Sequence, residues 1–365
     1  MSLLKRPQSN TSVAEAGTQT RRIPALDGWR GIAIILVLFD HIQAALFGRY
    51  WLPWMQTGQH GVTIFFVLSG FLISSKLLET PTDRIDLKSF YIRRFFRLMP
   101  VAWAYLGILW ISGQISGQRW ISGSEIASCV FFYRNFFGPG LSLNAAHFWS
   151  LSIEEQFYLV WPCLLLLAGI RISRWFAAGG AMAIAIYREM HWASYEHQWL
   201  SFQTEVRADA LLIGCLLALL LADPKLRSVI QRWCRVGWIP ALAALLWAVA
   251  RFHWLPPLFE CLAIAGLIAS STMYSQSIFV RPLLSPWLVW MGRISYSVYV
   301  WQQFFFIHRG FSITAPVLCL LPVFALGSYY WIELPAARFG RHIAEKLKQK
   351  ASVTSPDCAL TSPTA

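Results

Sequence analysis

Apolar stretches recur along almost the whole of this chain, at 30–48, 60–78, 99–113, 149–168, 175–188, 207–222, 237–250, 256–275, 285–305 and 312–332. Nothing else in the sequence narrows the fold as far. A bilayer core calls for about 20 apolar residues per helix. Inside it each backbone N–H and C=O must be satisfied within its own helix or barrel. Runs of this length in series predict an all-α polytopic membrane protein with about ten transmembrane helices. The run at 175–188 is short and weak. Composition agrees: 56% of the 365 residues are hydrophobic and 13% charged, where a soluble domain carries roughly a quarter charged. Mean hydropathy is +0.48. The 19 Trp and 25 Phe fit aromatic rings gathered at a membrane–water boundary.

The net charge of +13 does not point to nucleic acid, because the basic residues sit in short runs between apolar segments. That is the layout of loops retained on the cytoplasmic side. With the N-terminus inside (Lys5, Arg6, Arg21, Arg22), alternate connections carry Lys76 to Arg97, then Arg171 and Arg174, then Lys225 to Arg235, then Arg281. The last span leads to Arg338, Arg341, Lys346, Lys348 and Lys350. Both termini are thus expected in the cytoplasm, with the protein in the cytoplasmic membrane. The apolar piece at 122–137 is broken by Arg134, Asn135 and Gly138. Counting it as a span would move the later basic loops outside, so it reads as interfacial or re-entrant. The expected organisation is a disordered cytoplasmic tail at 1–24, a membrane domain at 25–340, and a tail at 341–365 that is basic and then disordered. Residues 1–22 are polar, with no apolar core of the kind a cleaved signal needs. Seven cysteines stand singly, so neither a metal site nor a disulfide framework is indicated.

Several spans carry groups a bilayer does not favour. In "LDGWRGIAIILVLFDHI" (26–42), Arg30 and His41 are eleven residues apart. That is three turns at about 100° per residue, so both leave nearly the same face, about 16 Å apart along the axis. Ionisable groups at such depth face a bundle interior or a watery cavity. Snorkelling would also explain Arg30, and an interhelical hydrogen bond His41. Asp40 beside it would raise the basicity of the histidine, although the two side chains diverge by about 100°. In "FYIRRFFRLMP" (90–100), Arg93, Arg94 and Arg97 are spaced to meet one anionic ligand. An ordinary inner-surface loop is the alternative. In "HFWSLSIEEQFYLVWP" (147–162), Glu154 and Tyr158 share a face, while acidic residues there would also suit a helix start. Arg207 and Asp209, and Arg293, Gln302 and Glu333, stand at span edges, where interfacial anchoring also accounts for them. Ser69 and Gly70 in "GVTIFFVLSGFLIS" are small residues that let helices approach. Packing is preferred there over a nucleophilic Ser69.

In this order the motifs resemble the acyltransferase 3 family of integral membrane acyltransferases: LDGWRG with His41, FFVLSGFLI, FYIRRFFRLMP, FWSLSIEEQFYLVWP, RADALLIG and GRISYSVYVW. The resemblance covers about residues 25–340. It implies ten membrane helices and transfer of an acyl group, commonly acetyl, from cytoplasmic acetyl-CoA to a hydroxyl of an extracytoplasmic or lipid-linked glycan. It marks Arg30, His41, Arg93, Arg97 and Glu154, and the small-residue pair Ser69 and Gly70. Trp301–Gln302 stands where family members often read Trp-His, and Gln302 cannot shuttle a proton. The expected partners are acyl-CoA as donor substrate, a glycan or glycolipid acceptor and the bilayer, with no permanently bound cofactor. Homo-oligomerisation stays open. The expected roles are Arg93, Arg94 and Arg97 on the donor phosphates and Arg30 guiding the acyl arm. His41 serves as general base or transient acyl carrier. Glu154 orients His41 or the acceptor. A transporter of sugars or lipid-linked intermediates is the alternative reading.

Overall fold

The structure, a computed structural model, describes residues 23–47, 57–79, 86–137, 142–191, 202–235, 256–306 and 317–353. Among the described residues all regular structure is helical. In chain order the helices are α1 (Pro24–Phe47), α2 (Thr57–Leu77), α3 (Leu87–Ser116), α4 (Gly123–Val130), α5 (Phe148–Met190) and α6 (Thr204–Leu221). They continue as α7 (Pro224–Arg235), α8 (Pro257–Met273), α9 (Pro286–Phe305), α10 (Leu321–Ser328) and α11 (Leu334–Val353). Four of the segments are long and apolar enough to cross a membrane: Pro24–Leu46, Thr57–Leu77, Leu87–Ser116 and Leu143–Met190. Large apolar side chains such as Trp110, Leu159, Leu167 and Trp175 are exposed on them. Such a surface suits lipid, since soluble monomers rarely expose extended apolar patches. The expected span at 237–250 and residues 312–316 of the last one lie outside the described residues.

Packing partners fix the relative directions. Ser69 of α2 meets Glu154 of α5, and Ser74 meets Trp161. The numbers rise together, so these helices run parallel there. Beyond Gly169 the direction of α5 reverses: Arg174 reaches Leu219 of α6 and Arg188 reaches Val206. Gly169 has φ 70° and ψ 175°, a conformation essentially confined to glycine. A Cβ there would touch nothing within 4 Å, so the backbone torsion, not crowding, demands glycine. The hinge falls between the expected spans 149–168 and 175–188. At the α2–α6 crossing crowding does rule: a Cβ on Gly70 would lie 2.0 Å from the Leu211 oxygen, and one on Gly214 2.1 Å from the Val67 oxygen. Small residues thus bring two backbones into contact where lipid supplies no hydrophobic drive.

Two segments differ from the sequence expectation. The basic stretch after α6, expected as a loop, is the amphipathic helix α7. Asp223 accepts from the backbone of Lys225 and Leu226 at its start, and Tyr274, just past the end of α8, donates to the Gln231 carbonyl. Leu226, Ile230 and Cys234 recur on one face at helical spacing, a period the dense arginines mask. The last expected span is interrupted: α10 gives way to a π-helical turn at Tyr329–Glu333 before α11. The piece at 122–137 forms only the eight-residue α4 and a short 3-10 turn. At about 1.5 Å per residue it is far too short to cross, as the charge pattern predicts.

Candidate active site

Six elements converge on one charged cluster inside the bundle. On α5, Glu154, Glu155 and Tyr158 lie within about one turn. The Ser69 hydroxyl of α2 donates to Glu154 Oε1 at 2.7 Å. From α3, Arg94 lays its guanidinium over the Tyr158 ring, 3.2 Å from the centroid. Its Nε stands 3.7 Å from Glu155 Oε1, an ion pair without a hydrogen bond. Arg97, one turn on along α3, is within electrostatic reach of Arg30 on α1 and Glu333 in the π turn. Glu333 is 5% exposed and accepts from Ser297 of α9 at 2.6 Å. Arg30, Arg94 and Arg97 all act on Glu154. Tyr296 of α9 donates to the Leu98 carbonyl at 2.6 Å, which fixes α9 against α3 at this level. Three guanidinium groups and three carboxylates therefore share one partly buried region, with Glu333 the most buried of them, and burial favours charges that are paired.

Further along α1 the surroundings change. His41 Nδ1 lies 2.8 Å from the Val37 carbonyl, and its ring stacks on Phe306 with centroids 5.5 Å apart. Within electrostatic reach of His41 is a second histidine, His147, which immediately precedes α5. His147 packs against Tyr105, Phe148 and Tyr299. Tyr299 links the two levels. Its hydroxyl bonds Ser150 and the His147 carbonyl, and it feels the charge of Glu154. Polar groups thus continue from Glu154 through Tyr299 and Ser150 to His147 and His41.

A third set of charges lies towards the other end of α2. His60 pairs with Glu260 of α8 at 2.7 Å. Arg188 donates to Asp209 at 2.8 Å and to the Val206 carbonyl. Arg207 donates to Gln59 at 2.8 Å. The pairs join α2, α5, α6 and α8.

The sequence-predicted residues separate into groups. Arg30, Arg94, Arg97 and Glu154 come together. Arg93 is about 100° around the helix from Arg94 and lies within reach of Asp86, as does Lys348. Asp40 is turned to the start of α2, where the Thr57 and Gly58 backbone meets its carboxylate, a favoured place for an anion. It also stands within electrostatic reach of His41 and His60. Glu333, read as a span-edge group, is buried in the cluster, and Arg293 is exposed. His147 escaped sequence reading altogether. Its one signal in the sequence is a histidine directly ahead of an apolar helix, a position that a helix start alone also explains.

The packing and the arginine–glutamate cluster define a helical membrane protein with a charged site inside its apolar layer. The family described as an acyltransferase domain, acyltransferase 3, matches residues 23–332, and the chain belongs to it. Similar proteins include a putative O-acetyltransferase of Staphylococcus aureus (strain COL), 28% identical over 88% of this chain and 58% of the relative. The peptidoglycan O-acetyltransferase OatA of Listeria monocytogenes is 28% identical over 81% of this chain and 50% of its own length. The putative peptidoglycan O-acetyltransferase YrhL of Bacillus subtilis is 31% identical over 77% and 48%. The chain therefore spans about half the length of the curated relatives it matches. No solved structure matches.

Proposed function

We propose that the protein is a cytoplasmic-membrane O-acyltransferase with ten spans and both termini inside. It moves an acetyl group from acetyl-CoA on the cytoplasmic side to a hydroxyl of a glycan beyond the membrane. The peptidoglycan O-acetyltransferases among its relatives favour a peptidoglycan-like acceptor. The transporter alternative has no such support. One observation carries the reading: arginines from α1 and α3 and glutamates from α5 and the π turn gather in the bundle, with His41 about 16 Å further along α1 and a polar track between.

Arg93 meets the donor phosphates at the rim. Arg94 and Arg97 take them deeper, where guanidinium forks match phosphate oxygens. Binding of the anion loosens the arginines from Glu155 and Glu333, and Arg30 guides the acyl arm. The acceptor hydroxyl gives its proton to His41 as its oxygen attacks the thioester carbonyl. The new C–O bond forms, the C–S bond breaks, and the coenzyme leaves as thiolate and takes up a proton. Glu154, held by Ser69, keeps the arginines in register. A histidine suits the proton transfer because its pKa lies near neutrality.

The test feeds labelled acetyl-CoA to membranes holding wild type or the Arg94→Gln/Arg97→Gln double variant, and then isolates the glycan. Each charge-assisted hydrogen bond is worth about 1.5–3 kcal/mol, so label on the glycan falls at least about 100-fold. Undiminished label in the double variant contradicts the donor site.

A further inference from the structure

Three buried side chains near His41 have polar atoms that no protein group satisfies. They are both ring nitrogens of His147, Nε1 of Trp301, and Oε1 and Nε2 of Gln302. Their exposures are 5%, 2% and 0%. The Val300 carbonyl lies beside the His147 ring without completing a hydrogen bond to it. More than nine in ten buried polar groups in folded proteins are bonded, so a local concentration of exceptions calls for a reason.

Their placement supplies one. His147 and Trp301 both pack edge-on against the same Tyr105 ring, at 5.3 and 5.6 Å. Gln302 stands one turn before Phe306 on the same face, and Phe306 stacks on His41. His147 is within electrostatic reach of His41 as well. The unmet groups thus flank the titratable residue from α9 and from the start of α5. They are neutral, with donors and acceptors mixed. That selects against phosphate, which the arginines serve elsewhere, and suits an alcohol, which both donates and accepts. The walls are Tyr105, Phe148, Tyr299 and Trp301, aromatic surfaces that suit the apolar face of a sugar ring.

We propose that His147, Trp301 and Gln302 form the acceptor subsite, which binds vicinal hydroxyls of a pyranose and presents one of them to His41. This rests on the acyltransferase reading above. Gln302 contributes binding only, since an amide has no proton to shuttle. His147 holds the hydroxyl oxygen through one ring nitrogen and contributes position rather than charge.

Replacing an unsatisfied buried amide with leucine removes a desolvation cost, so by stability alone Gln302→Leu should be neutral or favourable. If the amide serves an acceptor, the same variant should lose affinity for it, the trade expected at functional sites. Wild type, Gln302→Leu and His147→Gln are purified in detergent. Each receives labelled acetyl-CoA and an N-acetylglucosamine pentasaccharide as acceptor probe. The readouts are KM for each substrate and melting temperature. The acceptor KM is expected to rise about tenfold in each variant, one hydrogen bond's worth. Donor KM should stay at its wild-type value, and Gln302→Leu should melt no lower than wild type. An unchanged acceptor KM overturns the subsite. So does a parallel loss of donor affinity, acceptor affinity and melting temperature, which marks a packing role. If wild type itself transfers no label to the sugar, the acyltransferase reading fails with this probe, and the subsite assigned on it falls too.

Discussion

Two polar regions share this membrane core and solve the cost of burial in opposite ways. In the arginine–glutamate cluster each charge faces an opposite charge, a hydroxyl or an aromatic face: Glu154 with Ser69, Glu333 with Ser297, Arg94 with Glu155 and Tyr158. Around His41 the side chains of His147, Trp301 and Gln302 are neutral, and among the described residues five of their polar atoms have no protein partner. A matched cluster holds helices in place with nothing bound and opens to an anion that competes for its arginines. An unmatched set of polar groups gains most when a ligand supplies what it lacks. Under the proposed function the first region takes the donor and the second the acceptor.

The largest effect should come from the residue on which the second region centres. His41→Ala is expected to lower turnover by about 10²–10⁴-fold, the usual worth of a general base, while donor binding persists because the arginines are untouched. Labelled coenzyme A binding and label on the glycan, measured in the same membranes, separate the two. If donor binding falls along with turnover, the two regions are one site and the division fails.

Next comes a pair matched by structure alone. Arg188 and Asp209 are 7% and 1% exposed and lie away from both regions. Removing one partner of a buried ion pair costs about 3–5 kcal/mol. Arg188→Ala should therefore lower melting temperature and yield, while each folded molecule keeps wild-type kcat and KM. A change in acceptor KM in the folded fraction would draw this third set of charges into the acceptor path.

How far the sequence revealed these regions follows from geometry along a single helix. Arg30 and His41, and Arg94 and Arg97, were legible because spacings of eleven and three place side chains on one face. The same rule separates Arg93 from Arg94, and turns Asp40 away from His41 to the start of α2. Glu333 was not legible. Its burial depends on a π turn and on where α9 packs, and neither is written in local periodicity. That His147 and Gln302 lack protein partners was hidden for a related reason: a buried atom without a partner is a property of three helices at once. The span rhythm was plain because lipid imposes it residue by residue. The reversal at Gly169 was visible only as a gap between the run at 149–168 and the short, weak run at 175–188.

The smallest effect lies in the strap that carries His147. Glu125 closes a capping box with Ser122 and also accepts from the Ser142 backbone N–H. Ser142 and Asn144 both bond the Trp120 carbonyl, and Tyr105 donates to Asn144. The strap then enters His147 and α5. Burial alone would raise the Glu125 carboxyl, but hydrogen bonds from Ser122 and Ser142, with Arg134 nearby, more than offset it, and it sits below the ordinary glutamate range. A carboxyl lowered in the folded state stabilises at pH above its unfolded value of about 4.3. That contribution is lost as pH falls through the lowered folded value. Hydrogen-exchange protection of residues 120–137 and 142–147, corrected for the intrinsic pH dependence of amide exchange, should therefore fall on acidification in wild type, whereas Glu125→Gln should start less protected and lose that part of the pH dependence. Acceptor KM should follow the strap and donor KM should not, because the arginine cluster is anchored on α1, α3 and α5. Equal acid sensitivity of exchange in both proteins would remove Glu125 from this role. A donor KM that tracks the strap would show that the charged cluster, too, depends on this outer segment.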